Sequence, residues 1–476
     1  MRFNIKFNKF KFDKRFFLLF ISLFMLFFIM NSARWTYHEF HRVNFDEIGI
    51  VLNSGLGGTD PELLISFIKK AVLRSVLWTT ILSILCSIYR NKIFTIIVYT
   101  VVSLLLVQKI SKSNVQLGSV FSTTKSNFYE TEYVDPKSVN IKWPEHKNVL
   151  FIALESIEKV YGTPDAFGEV LTPNITKLEH DNISFENYHV ISGLTHTIAA
   201  ITGFTTGLPL FFTGFANVEK MVGAYGIGNI FKDAGYKTYS IFPASGKFSL
   251  KSHFMEHKGF DTVIDGEQIR NSIVNPPKIK PFEGVDDGVL FEYSKPIIQD
   301  IVKSKSPYFL FMETINTHCA GYFTEHCEQI GFKQETMQDI TLCADKIVAD
   351  FVKWFRTQDP NAVVILINDH NQRSGSMART LSKIKNKPLS NVFININIFD
   401  KSDLSRPISA MDFFPTIIES AGARIEGCKL GLGTSLSTHC KNVKTLRERF
   451  SDSELEKKIE QNNDLYYKLS TGRTRK

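Results

Sequence analysis

NVLFIALES, residues 148–156, is an apolar run that begins on an asparagine and closes on a carboxylate and a hydroxyl. It is too short for a free-standing helix and does not alternate with polar residues, so 148–154 reads as a strand buried on both faces. Runs of the same kind, rich in Val, Ile and Phe, recur at 237–242, 308–315, 362–367 and 392–398. Between them lie stretches of helical period at 227–234, 289–302, 334–355 and 411–420. Strands alternating with helices predict an α/β domain, a mainly parallel sheet with helices on both faces.

The chain of 476 residues is 43% hydrophobic and 22% charged, ordinary for a globular protein, but its apolar residues crowd into the first 110 positions. Residues 16–30 carry no charge and follow Lys6, Lys9, Lys11, Lys14 and Arg15; further apolar stretches cover 71–89 and 93–107, separated by Arg90, Asn91 and Lys92. Three transmembrane spans are predicted; a cleaved signal peptide is the competing reading of the first. Basic residues at the N-terminus and in the tight turn, both placed inside, leave everything after Lys109 outside the cytoplasm, with Lys69, Lys70 and Arg74 opposing that arrangement. The net charge of +8 is read as membrane topology, since no nucleic-acid recognition motif is visible.

Residues 31–68 are expected to form an outside loop containing the turn-rich run Asn53, Ser54, Gly55, Leu56, Gly57, Gly58. Residues 110–147 read as a juxtamembrane linker, 148–440 as the catalytic domain, and 441–476 as a polar, charged tail that is solvated helix or disordered. Of six cysteines, spacing suggests the pairs Cys327–Cys343 and Cys428–Cys440, with Cys319 odd and Cys86 in a span; free buried thiols are the alternative.

In open parallel sheets functional groups gather beyond the carboxyl ends of strands. Three such ends carry chemistry: Glu155 and Ser156; Asn316, Thr317 and His318; Asn368, Asp369 and His370. Two carboxylates and an imidazole on one edge suit Mn, Zn or Mg. Singly, an acidic residue there is a helix cap and a histidine an ordinary hydrogen-bonding residue. The segment 192–200, SGLTHTIAA, offers hydroxyls where a loop enters a helix, a place that favours anions. A threonine there is equally an N-cap.

The segments NVLFIALES (148–156), TPNITKLEHDNISFENYHV (172–190), GLTHTIAAITGFTTGLPLF (193–212), LKSHFMEHKGFD (250–261), TINTHCAGYF (314–323), INDHN (367–371) and GLGTSLS (431–437) together resemble the phosphoglycerol transferase family that modifies periplasmic glucans. More distantly they are similar to lipoteichoic acid synthases and phosphoethanolamine transferases, all of the sulfatase and alkaline phosphatase superfamily. The resemblance implies a bacterial inner-membrane enzyme with a periplasmic catalytic domain, a phospholipid donor, a glycan acceptor and one divalent metal, Mn2+ before Zn2+ or Mg2+. It implies metal ligands at Glu155, Asp369 and His370, with Thr197 as fourth ligand and nucleophile and Thr195 in reserve. Register against the lipoteichoic acid synthases falls instead on Leu194, which cannot react. His318 matches a substrate-facing histidine that moves protons. Lys251 stands where the synthases have a phosphate-gripping arginine, and offers a point charge in place of a fork.

The expected reaction moves phosphoglycerol from phosphatidylglycerol to a sugar hydroxyl through a phosphothreonine. A phosphoethanolamine transferase would use the same site, with Glu313, Asp286 or Asp287 as partners for the ethanolamine cation. A sulfatase-type hydrolase needs a formylglycine precursor followed by Pro and Arg, and 192–200 holds neither Cys nor Arg. A binding module that has kept the fold is the non-enzymatic alternative.

Overall fold

The computed structural model describes residues 14–40, 43–44, 48–50, 61–89, 92–112, 115–116, 125–214, 217, 219–318, 321–373 and 375–475. Lys6, Lys9, Lys11, the run 53–58, Arg90, Asn91 and Cys319 lie outside the described residues. The chain divides into two compact units, 1–45 with 59–117, and 46–58 with 118–476.

The first unit contains three helices long and apolar enough to cross a membrane, Phe16–Tyr37, Leu64–Tyr89 and Lys92–Lys109. They are longer than the apolar runs alone predict. No Gly or Pro interrupts Lys14–Phe40, so the helix continues through residues expected to be loop. Its polar end is accommodated inside the unit, where buried Asn31 donates to Ser75 Oγ at 3.0 Å. Leu23, Phe27, Cys86 and Val102 form the apolar contact among the helices.

The second unit is built on six strands: β1 (Val149–Leu154), β2 (Lys237–Ile241), β3 (Thr262–Ile264), β4 (Tyr308–Glu313), β5 (Val363–Asn368) and β6 (Asn391–Ile394), in the order β3-β2-β4-β1-β5-β6. All neighbours are parallel except β5 and β6. The three-residue β3 is half-buried and too short to announce itself in the sequence. Period-2 geometry splits β1 between two cores. Val149, Phe151 and Ala153 face one, with α2 (Thr197–Thr206) and α7 (Ala410–Ser420); Leu150, Ile152 and Leu154 face the other, with α5 (Asp287–Lys303) and α6 (Met337–Gln358). Between these, α1 is Pro173–Asp181, α3 Ile227–Asp233 and α4 Lys251–His257. Cys327 is bonded to Cys343 and Cys428 to Cys440.

Besides the 31–68 loop, whose two ends are helical at Lys14–Phe40 and Pro61–Phe67, two further expectations are corrected. Residues 125–147 are part of the compact unit: Phe128 and Tyr129 are buried, and Ile141–Lys142 pairs antiparallel with Arg424–Ile425. The tail is helical, as one of its two readings expected, but it is packed on the domain instead of standing free: Leu446–Arg449, Asp452–Ile459 and Asp464–Thr471 turn Leu446, Leu455, Ile459, Tyr466 and Leu469 into the core and leave their polar faces exposed. Each segment is mostly polar and supplies only a few apolar residues, and the two cover each other: Tyr129 donates to Ile459 O at 2.9 Å, and Asn463 to Ser126 O at 2.6 Å. Charge patterning hid them because their stripes are narrow. Leu455→Ala is therefore expected to cost about 2–5 kcal/mol, read as a lowered thermal unfolding midpoint of the detergent-solubilised chain; an unchanged midpoint would put the tail outside the core.

Candidate active site

Neighbouring parallel strands β1 and β5 end side by side, Leu154 opposite Asn368, so the residues that follow each are forced together. Asp369 N–H donates to Leu154 O at 3.0 Å, and Ile157 N–H to Asn368 Oδ1 at 2.5 Å, locking the two turns. Ser156 is left at φ 53°, a left-handed conformation that a serine adopts only under constraint. The constraint aims its groups: Ser156 N–H donates to Asp369 Oδ1 at 3.0 Å, and its hydroxyl to Glu155 Oε1 at 2.7 Å, with His370 Nδ1 3.4 Å away.

Glu155, Asp369 and His370 are all buried and each offers a ligand atom within 4.8 Å of the other two. His370 Nδ1 lies 2.9 Å from Asn371 O, so that nitrogen carries the proton and Nε2 presents its lone pair. Nε2 faces Asp369 Oδ2 at 3.3 Å and Glu155 Oε1 at 3.6 Å. Asp369 Oδ1 takes two backbone N–H groups, from Ser156 and His370, while Oδ2 is buried with no hydrogen-bond donor among the described residues. Burial opposes ionisation of Glu155, but His370, His318 and the Ser156 and Thr197 hydroxyls outweigh it and hold the carboxyl below its usual range. Burial and the Glu155 charge push Asp369 well above its own. A buried carboxylate oxygen lacking a donor, a second carboxylate and an oriented imidazole fit one divalent cation.

The hydroxyl of Thr197 completes the group, with Oγ1 3.2 Å from both Glu155 Oε2 and His370 Nε2. The N-cap position of α2 falls on His196, which leaves Thr197 as first residue of the helix with its side chain turned to the cluster instead of capping. Helix α2 ends at Gly207 in the left-handed region (φ 65°), packed so closely that a Cβ there would meet Leu430 O at 2.9 Å. Thr195 lies in the loop ahead of the helix, and Leu194 is buried in the core.

His318 follows β4 on the same sheet edge, its ring edge-on to Phe282 at 4.7 Å, close enough for its charge to favour ionised Glu155. Thr314 and Thr317 tie this turn to Glu155, Thr314 Oγ1 accepting from its N–H at 2.9 Å and Thr317 donating to its carbonyl at 2.5 Å.

Lys251, at the start of α4, is buried and donates to both oxygens of Glu313 at 2.6 and 2.8 Å, with its ammonium 5.1 Å from the Phe242 ring centroid. Glu313, the last residue of β4, is thus the partner of a lysine. Asp286 caps α5, accepting from Gly288 and Val289 N–H, and Asp287 accepts from Ile315 and Asn316 N–H while burial pushes it up to about 8. The three carboxylates considered for an ethanolamine cation each have internal duties. Ser156, named from the sequence only as part of a strand end, and Glu313, named only as a partner for an ethanolamine cation, act in ways that motif reading does not give: the first hydrogen-bonds Glu155 and the second pairs with Lys251.

A family model described as sulfatase matches residues 147–423. Curated relatives named phosphoglycerol transferase I, from Citrobacter koseri and Escherichia fergusonii, are 26% identical over 252 residues, 50% of this chain and 32% of theirs. The match therefore spans about a third of the length of those relatives. Among solved structures, the integral membrane lipooligosaccharide phosphoethanolamine transferase A of Neisseria meningitidis aligns with a TM-score of 0.52 at 13% identity, covering 85% of this chain and 84% of that one, a likeness of fold.

Ser156→Gly keeps a backbone suited to the turn and removes only the hydroxyl that orients Glu155 and His370. It is expected to weaken divalent-metal binding about 10–100-fold, measured by competition with a chelator, while the unfolding midpoint holds. Unchanged affinity would deny Ser156 an orienting role.

Proposed function

The chain belongs to the sulfatase family, and on that footing we propose that it is a membrane-anchored transferase moving phosphoglycerol from phosphatidylglycerol to a sugar hydroxyl of a glycan outside the cytoplasm. The observation that carries this reading is the Thr197 hydroxyl at the start of α2, 3.2 Å from Glu155 and from His370. Family membership alone does not fix the reaction. A threonine in this position supplies a nucleophile and lacks the cysteine or serine from which a sulfatase makes its formylglycine.

Glu155, Asp369, His370 and Thr197 would hold one divalent metal, with Mn2+ favoured over Zn2+ and Mg2+ by the family resemblance. Such an ion, when bound, lowers the pKa of a coordinated hydroxyl and polarises a phosphoryl oxygen. Thr197 would react as its alkoxide, its proton having passed to solvent beforehand: Oγ attacks the phosphorus, the P–O bond to diacylglycerol breaks, and protonated His318 gives its proton to the leaving diacylglycerol alkoxide. The phosphoglycerol group remains esterified to Thr197. Neutral His318 takes the proton of an incoming sugar hydroxyl, whose oxygen displaces Thr197 and restores it. Lys251 contributes positive charge near the transferring phosphate, held in place by Glu313. The N-terminus of α2 favours the same anion.

Three helices able to cross a membrane support a lipid donor, and two disulfides support an oxidising compartment for the catalytic unit. The head group rests on the relatives named phosphoglycerol transferase I and on the internal engagement of Glu313, Asp286 and Asp287, the three carboxylates considered for an ammonium.

Given head-group-labelled phosphatidylglycerol or phosphatidylethanolamine in separate reactions with Mn2+, the chain should release diacylglycerol from the former. Thr197→Ala should lower that release by more than about a thousandfold, with Thr195→Ala near wild type. Release from phosphatidylethanolamine alone would overturn the donor and support the phosphoethanolamine reading; full activity of Thr197→Ala would end the covalent mechanism.

A further inference from the structure

Helix α4, which begins with Lys251, carries His253 and His257 one turn apart. Residues four apart lie on the same helix face. Their rings are 4.2 Å apart between centroids, and Glu219, from the segment entering the Lys220 turn, reaches over them with Oε1 2.8 Å from His253 Nε2. One ligand atom of each of the three lies within 4.8 Å of the others, and none of the three belongs to the Glu155, Asp369 and His370 group.

We infer that Glu219, His253 and His257 form a second divalent-metal site, for a borderline ion of the Zn2+ type. Three observations carry this. His257 Nδ1 lies 2.9 Å from His253 O, so Nδ1 is the protonated nitrogen and Nε2 presents a lone pair outward. A ring N–H given to a backbone carbonyl is how ligating histidines are oriented. The carboxylate of Glu256 lies 3.9 Å from His253 Nδ1, at the ring nitrogen opposite the one that faces Glu219, an ion-pair distance at which its charge favours a proton on Nδ1 and leaves Nε2 to a ligand. Finally, His253 and Glu219 are each about half exposed, at 43% and 49%, so an ion can enter from solvent without opening the fold.

The donor set selects the ion. Two imidazole nitrogens and one carboxylate oxygen suit Zn2+, and leave a position for water. Mg2+ and Ca2+ prefer oxygen ligands and are poorly served. The site ties Glu219 to α4, reinforcing a segment already fastened beneath: Lys220 Nζ donates to Ser249 O at 2.7 Å, and Lys258 Nζ to Ala224 O at 2.7 Å. The ion is thus an external clamp on the helix whose first residue is Lys251.

The test is Zn2+ titration of the untagged, detergent-purified full chain against a chromogenic chelator, with wild type, Glu155→Ala and the pair His253→Ala/His257→Ala compared. Wild type should take up two equivalents, and each variant one. A wild type that binds one equivalent, lost only in the histidine pair, would uphold this site and contradict the metal proposed at Glu155. Equal uptake by wild type and the histidine pair would overturn the second site.

Discussion

Two carboxylates, Glu155 and Asp369, are buried side by side because β1 and β5 are hydrogen-bonded neighbours that end in register. At the separations involved, like charges repel by about 4 kcal/mol even at an effective dielectric of about 20. The fold resists that repulsion with backbone N–H groups on Asp369 Oδ1 and the Ser156 hydroxyl on Glu155, yet leaves Asp369 Oδ2 without a donor. Everything else at this edge answers to the same constraint. The strained Ser156 turn, the oriented His370 and the helix start at Thr197 all converge where a cation would relieve it.

The sheet was legible because strands buried on both faces are nearly continuous apolar runs, and each of the five runs read from the sequence overlaps a strand. Their carboxyl ends led directly to Glu155, Asp369 and His370, and the structure brings these together. Thr197 was less clear, since a threonine at a helix start is also a cap; the structure puts the cap position at His196 and turns the Thr197 hydroxyl to the cluster. What composition hid were the segments 125–147 and 446–471. Their polar residues outnumber the few apolar ones, and burial arises only when two distant stretches meet through Tyr129 and Ile459.

Lys251 shows the limit of motif reading from the other side. Its position along the chain was readable, but its pairing with Glu313 was not, because the two are 62 residues apart and meet only across β2 and β4. Paired and buried, the lysine is held in one place by Glu313. In the proposed mechanism that pairing would fix where its charge lies, a point charge where a guanidinium would offer a fork.

The most direct measurement is of the covalent state of Thr197. The full chain would be mixed with phosphatidylglycerol and Mn2+ without acceptor, quenched in acid, digested and mapped by mass spectrometry. A glycerophosphoryl group on Thr197 in the peptide containing residues 193–206 is the predicted result. An adduct on another residue, or diacylglycerol released with no adduct on any peptide, would contradict the account.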